Sequence, residues 1–82
     1  MNYDEIEIGS LYKTTTPIYT SDYIHLISED SCFTIISKNK MIYRGSTTIR
    51  IEIIFNELKQ VILFALSDFE SYSDTIPFKK II

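Results

Sequence analysis

The sequence contains few of the residues on which common enzymes and metal sites are built. It has one cysteine, one histidine, two glycines and no tryptophan among 82 residues. One cysteine excludes an intramolecular disulfide, and one histidine excludes the usual zinc site of several Cys and His ligands. Two isolated glycines exclude the glycine-rich phosphate loops of nucleotide-binding proteins. We therefore expect a protein with no cofactor, no metal ion and no enzymatic activity.

Long apolar segments are also missing. The longest apolar run, residues 61–66, is far shorter than the roughly 20 residues that a membrane-spanning helix needs. The first five residues include Asp4 and Glu5 and lack the apolar core of a signal peptide. We expect a cytoplasmic protein that does not contact a membrane, and the single cysteine agrees with a reducing compartment.

β-branched and aromatic residues make up much of what is present. Isoleucine occurs 16 times and tyrosine six times, whereas alanine, the best helix former, occurs once. This bias favours an all-β protein, and 82 residues allow one domain, residues 1–82. The net charge of −3 disfavours an overall basic nucleic-acid-binding protein.

The clearest strand covers residues 47–56, where apolar side chains alternate. Ile49, Ile51 and Ile53 share one face of this strand. Residues 60–67 are predicted to pair with it, but they are apolar on both faces, and a helix over residues 57–67 is the alternative. A second helix is an alternative within residues 18–27, which would make the protein α+β.

Shorter strands are predicted on both sides of this pair. They cover residues 6–13, 32–37 and 41–44, with turns at residues 38–40 and 45–46 and a last short element at residues 79–82. Five or six strands at this spacing are typical of a small barrel or a two-sheet sandwich.

Three segments resemble a known group of proteins. They are residues 8–13 (IGSLYK), 27–36 (ISEDSCFTII) and 77–81 (PFKKI). They are similar to the short SH3-like β-barrel proteins of phages and mobile elements of low-GC Gram-positive bacteria. One departure is that Glu29-Asp30-Ser31 stands where such proteins usually have a turn glycine. The resemblance implies an SH3-like barrel and, by analogy, a phage-encoded protein that binds a host protein, such as a defence factor, and inhibits or redirects it.

Exposed aromatic residues are the main candidates for protein binding, because tyrosine is enriched at interface hot spots. Two of the candidates lie in the irregular segment 18–27, one lies in the predicted strand 41–44, and two stand among the carboxylates of residues 68–74. They are Tyr19, Tyr23, Tyr43, Phe69 and Tyr72.

A basic hairpin provides an alternative function. Lys38, Lys40 and Arg44 lie close in sequence around Tyr43. Cations beside an aromatic ring bind single-stranded nucleic acid by charge and stacking. A solvated turn is the simpler interpretation of the same residues.

Three other features have simple structural explanations. His25 near Ser28 or Cys32 would serve as a catalytic base only in a geometry that the sequence does not establish. Cys32 has acidic neighbours, which disfavour a reactive thiolate. The carboxylates Asp68, Glu70 and Asp74 lack the spacing of a calcium loop, so we expect a solvated acidic loop.

The two-faced apolar segment at residues 61–66 and the apolar end Ile81-Ile82 suggest self-association. A homodimer or higher oligomer would cover apolar surface that 82 residues leave exposed. The alternative is a strand that the protein's own loops cover.

Overall fold

The computed structural model describes residues 3–22, 24–67 and 76–82, and this part of the chain is mostly β. A 3₁₀ helix at Tyr3–Glu5 precedes seven strands. The strands are β1 (Leu11–Thr14), β2 (Ile18–Tyr19), β3 (Leu26–Ile27), β4 (Cys32–Tyr43), β5 (Ser46–Phe55), β6 (Leu58–Ala65) and β7 (Phe78–Lys80). The all-β prediction is confirmed.

Five of the strands form one antiparallel sheet in the order β6-β5-β4-β1-β7, and β2 pairs with β3 in a separate two-stranded sheet. The strands β4, β5 and β6 follow one another as a meander, joined by two-residue turns. The helix alternatives are wrong, because residues 57–67 contain β6 and residues 18–27 contain β2 and β3.

The core lies on one face of the large sheet, as the alternation in β5 predicts. Ile49, Ile51 and Ile53 are fully buried, and Ile62 of β6 is buried beside them. The chain covers this face with Ile6, after the 3₁₀ helix, and with residues of β2 and β3. On the opposite face of the sheet, Arg50, Glu52 and Ile54 of β5 are partly or largely exposed, whereas Thr48 is buried.

The aromatic part of the core joins the two ends of the sheet. The ring of Phe78 on β7 lies 5.5 Å from Tyr12, 5.6 Å from Phe33 and 5.8 Å from Phe64, measured between centroids. Phe64 belongs to β6, so side chains of the first and last strands in the sheet order meet across the core.

The backbone does not complete this closure. β6 and β7 are the edge strands of the sheet and do not pair with each other. The expected closed barrel is therefore corrected to an open sheet whose curvature brings Phe64 and Phe78 together. The physical reason lies in the lengths of the strands, since β7 has only three residues and those pair with β1.

The predicted turn at residues 38–40 is wrong. These residues lie inside β4, a 12-residue strand that pairs with β5 from Thr34 to Tyr43. The turn that joins β4 to β5 lies at Arg44-Gly45, one residue before the turn predicted at residues 45–46, and both residues have positive φ angles, of 52° and 81°. A turn of this kind matches the twist of the strands that it joins. The register of β4 shifts between Ile35 and Ser37, which marks a β-bulge.

The described part of the chain has no helix long and apolar enough to span a membrane.

Candidate protein-binding site

The connection between β2 and β3 crosses the outer edge of β6. The backbone N–H of Ser21 donates to the carbonyl oxygen of Val61 at 2.7 Å. Two residues 40 positions apart are thereby joined, and the small β2–β3 sheet is attached beside the large one. The two pockets described below lie near this crossing.

A single carboxylate organises the crossing loop. Asp22 Oδ1 accepts hydrogen bonds from the Thr20 hydroxyl at 2.5 Å and from the Ile24 N–H at 2.9 Å. These donors, the Thr20 hydroxyl first, hold the pKa of Asp22 below its usual range. The Asp22 carboxylate accepts the hydrogen bond of a backbone N–H two residues later, as in an Asx turn, and so takes the place of a backbone carbonyl.

The first pocket, here called the apolar pocket, is a cavity of about 320 Å³ between this loop and the β5–β6 turn. Apolar side chains dominate its lining, and four of its residues are polar or basic. The lining residues are Thr20, Ile24, His25, Leu26, Ile27, Phe55, Asn56, Leu58 and Gln60.

Large apolar side chains around the apolar pocket are exposed to solvent. The exposed fraction is 77% for Ile24, 48% for Leu26 and 58% for Leu58. Single exposed apolar residues are ordinary, but a group around one concave surface is typical of a binding site. The β5–β6 turn borders this surface with Asn56 and Glu57, both at positive φ angles.

The second pocket, here called the tyrosine pocket, lies on the other side of the crossing and measures about 110 Å³. It is lined by Tyr19, Thr20, Ser21, Tyr43 and Leu63. Two of the five aromatic residues that the sequence suggested for protein binding, Tyr19 and Tyr43, therefore line one pocket. Both are exposed, Tyr19 by 60% and Tyr43 by 43%.

The other three suggested aromatic residues lie outside the described residues. They are Tyr23, Phe69 and Tyr72, and the acidic residues Asp68, Glu70 and Asp74 also lie outside them. The structure therefore places neither the acidic aromatic segment nor Tyr23.

The basic residues of the suggested nucleic-acid surface do not form one patch. Lys38 and Lys40 pair in register with Ile51 and Ile49, which places them on the core-facing side of the sheet. Their amino groups lie 4.5 Å and 4.9 Å from the centroid of the Tyr3 ring.

Lys38 Nζ also donates to the Tyr3 carbonyl oxygen at 2.7 Å, which attaches the N-terminal 3₁₀ helix to β4. Arg44 lies instead in the β4–β5 turn, with its guanidinium 5.3 Å from the centroid of Tyr43. The two lysines and Arg44 therefore contact different aromatic rings.

His25 and Cys32 are both exposed. His25 Nδ1 lies 3.6 Å from Asp22 Oδ2, so the histidine contacts the loop carboxylate. Among the described residues there is no group of three or more His, Cys, Asp or Glu side chains placed to hold a metal ion.

A polar network lies on the face of the large sheet opposite the core. Glu52 on β5 accepts hydrogen bonds from Lys59 Nζ at 2.6 Å, Ser37 Oγ at 2.8 Å and Arg50 Nη1 at 3.0 Å. These donors, Lys59 first, lower the pKa of Glu52 to about 2. The network joins β4, β5 and β6 on the face opposite the core.

Sequence reasoning did not identify the apolar pocket. Leu26 and Leu58 come together only because the β2–β3 connection folds across β6. The one signal in the sequence was the polar pair Ser21-Asp22, which interrupts an apolar segment and marks a loop with apolar flanks.

Comparison of the chain with protein-family models, curated proteins and solved structures gave no match. The site is therefore interpreted from its own geometry.

Proposed function

We propose that this protein is a non-enzymatic module that binds another protein through the apolar pocket. The observation that carries the proposal is the exposure of Ile24, Leu26 and Leu58 around one cavity of about 320 Å³. Cavities that bind organic groups begin at roughly 300 Å³ and have apolar linings with a few polar groups. The apolar pocket has this size and this composition.

Burial of these side chains by a partner would release apolar surface from water. Each fully buried aliphatic side chain contributes roughly 1.5–3 kcal/mol. Tyr19 and Tyr43, beside the apolar pocket, add amphipathic rings that gain from the same partner. His25, Asn56 and Gln60 supply hydrogen-bonding groups that would orient it.

The resemblance to SH3-like phage proteins supports a particular kind of partner. We propose that the chain is phage-encoded and acts in the cytoplasm of a low-GC Gram-positive host, where it inhibits or redirects a host protein such as a defence factor. Self-association through the same surface and nucleic-acid binding through Lys38, Lys40 and Arg44 are the competing proposals.

The test is affinity capture from a low-GC Gram-positive lysate, with and without nuclease, read by mass spectrometry. Two variants make it specific: Ile24→Glu in the apolar pocket and Ile82→Glu at the chain end, residues that are 77% and 78% exposed. We expect one stoichiometric protein that resists nuclease, is retained by Ile82→Glu and is lost with Ile24→Glu.

Other outcomes contradict the proposal. Equal capture by both variants would show that the apolar pocket is not the binding surface. Capture that nuclease abolishes would favour nucleic-acid binding. Recovery of the bait alone, with a dimer mass that Ile24→Glu reduces to a monomer mass, would favour self-association.

A further inference from the structure

The outer edge of β6 presents backbone groups that no described residue pairs. β6 is a terminal strand of the large sheet, and its Val61 carbonyl accepts from Ser21 on the side away from β5. Backbone groups of successive residues in an antiparallel strand alternate in direction. The N–H and C=O groups of Leu63 and Ala65 therefore also point to the outer edge. Among the described residues, neither makes a backbone hydrogen bond outside the ladder with β5.

The β2–β3 connection crosses this edge at Val61, and Lys59 lies between the crossing and the β5–β6 turn. Beyond Val61 the edge lacks the features that usually protect an exposed strand. Natural edge strands carry charges, prolines or bulges, or are very short. Residues 61–66 contain no charged residue and no proline, and β6 pairs with β5 without a register shift. The other edge strand, β7, is protected, since it has three residues and two of them are lysines. Among the described residues, the part of the β6 edge beyond Val61 is therefore left available for pairing.

The tyrosine pocket lies beside this edge, and Leu63 is one of its lining residues. Its volume of about 110 Å³ is somewhat smaller than a cavity that holds benzene, about 150 Å³, so it suits one aliphatic side chain. A strand added at Leu63 would bring its side chains next to this pocket, because side chains of paired residues lie on the same face.

Two arginines lie at this end of the sheet, and only one of them is balanced by a carboxylate of a described residue. Arg50 lies opposite Leu63 in the ladder, and Arg44 stacks on Tyr43 of the tyrosine pocket. Arg50 is paired with Glu52, whereas Arg44 makes no ion pair with a described residue. A partner segment with carboxylates beside its aliphatic side chain would therefore match this end of the sheet.

We propose that an extended acidic segment of a partner protein adds to the outer edge of β6 as a further strand. Its backbone pairs with Leu63 and Ala65, one aliphatic side chain enters the tyrosine pocket, and a carboxylate approaches Arg44. Strand addition of this kind takes affinity from main-chain hydrogen bonds and specificity from side-chain pockets. The inference rests on the proposed protein-binding function and names the chemistry of the partner.

The test uses the full-length protein and a synthetic probe, acetyl-Thr-Glu-Thr-Val-Thr-Glu-Thr-amide. Its valine and glutamates share one face of an extended strand. Titration by NMR is expected to shift the amide signals of Leu63 and Ala65 and to slow their hydrogen exchange.

Two control peptides test the backbone and the charge contacts. One carries N-methyl groups on alternate residues, which removes the N–H donors that would pair with β6. The other replaces both glutamates with lysine. We expect binding to weaken by about tenfold or more for each of these peptides.

Two variants of the protein test the same contact between the peptide and β6. Leu63→Pro removes an N–H that points away from β5, and proline is tolerated at such positions of edge strands. We expect it to fold and to lose the probe, whereas Arg44→Glu folds and prefers the lysine peptide. The N-methylated peptide gives the same answer if Leu63→Pro does not fold.

The inference is overturned if the N-methylated peptide binds as well as the probe, if the lysine peptide binds better to the natural protein, or if no peptide binds. It is also overturned if Leu63 and Ala65 are protected from exchange in a dimer that dissociates on dilution, because the occupant is then a second copy. The two proposals can fail separately. If the affinity capture depends on Ile24 but the peptide probe does not bind, the proposed function stands and only this inference is rejected.

Discussion

Glu52 shows how one residue makes the stability of this protein depend on pH. Lys59, Ser37 and Arg50 donate to its carboxylate and lower its pKa from 4.5 to about 2. In the unfolded chain the carboxyl group takes up its proton near the ordinary value. The stability that the network contributes is therefore complete above pH 4.5 and is lost as the pH falls toward 2.

Glu52→Gln is expected to remove this dependence, because the amide keeps its shape but does not titrate. The urea midpoint of the variant falls below that of the natural protein at pH 7, and the difference shrinks as the pH is lowered from 4.5 to about 2. Urea unfolding at a series of pH values measures both. Glu57→Gln, at an exposed position on the β5–β6 turn, is the control. We expect its urea midpoint to change with pH as that of the natural protein does. A difference that is constant with pH would contradict the argument.

The β4–β5 hairpin shows what local sequence patterns can and cannot predict about an element. Period-2 alternation places β5 within one residue at each end, since residues 47–56 are predicted and Ser46–Phe55 is observed. The same reasoning predicts a turn at residues 45–46, one residue from the observed Arg44-Gly45. It also interrupts β4 with a turn at residues 38–40, because Lys-Asn-Lys is polar and asparagine tolerates turn conformations. In the structure, Lys38 and Lys40 remain in β4, and the ring of Tyr3 lies beside both of them. A contact with the distant N-terminus overrides the local preference.

One substitution distinguishes a strand from a turn at residues 38–40, and a second tests the turn at Arg44-Gly45. Gly45 has a φ angle of 81° with no atom within 4 Å of an added Cβ, so Gly45→Ala adds only backbone strain. We expect a loss of about 1 kcal/mol in the free energy of unfolding. Asn39→Gly lowers stability as well, because glycine weakens a strand interior. Urea unfolding measures the stability of both variants. A turn at residues 38–40 would make Asn39→Gly neutral or stabilising, whereas Gly45→Ala lowers stability in either case.

The candidate site is formed by residues that are distant in sequence and that only the tertiary fold brings together. For that reason the sequence predicted only part of it. Tyr19 and Tyr43 were among the aromatic residues that the sequence suggested for protein binding, and they line one pocket. The apolar pocket and the part of the β6 edge that no described residue pairs both depend on where Ser21 contacts Val61, and no local pattern encodes that contact. The two apolar faces of residues 61–66 indicated that β6 needs cover on both sides. The structure covers one face with the core and leaves the other partly exposed.

At the scale of the whole molecule, side chains complete an enclosure that the backbone leaves open. β6 and β7 do not pair, yet Phe64 and Phe78 approach to 5.8 Å, and Phe78 also contacts Tyr12 and Phe33. Phe78 is only 3% exposed. Its ring therefore joins the two ends of an open sheet, a role that ladder hydrogen bonds would fill in a closed barrel.

Phe78→Ala is expected to reduce the free energy of unfolding by about 3–5 kcal/mol, the usual loss for a buried phenylalanine. Small domains have roughly 5–15 kcal/mol in total, so the variant should lose a large part of its stability. Chemical unfolding followed by tyrosine fluorescence measures the loss, with Ile81→Ala, 43% exposed, as the control that stays close to the natural protein. Because the ring connects the first and last strands of the sheet order, the loss should appear in one cooperative transition. A separate early transition of β7, with the β4–β5–β6 meander unaffected, would show that the sheet does not depend on this aromatic contact.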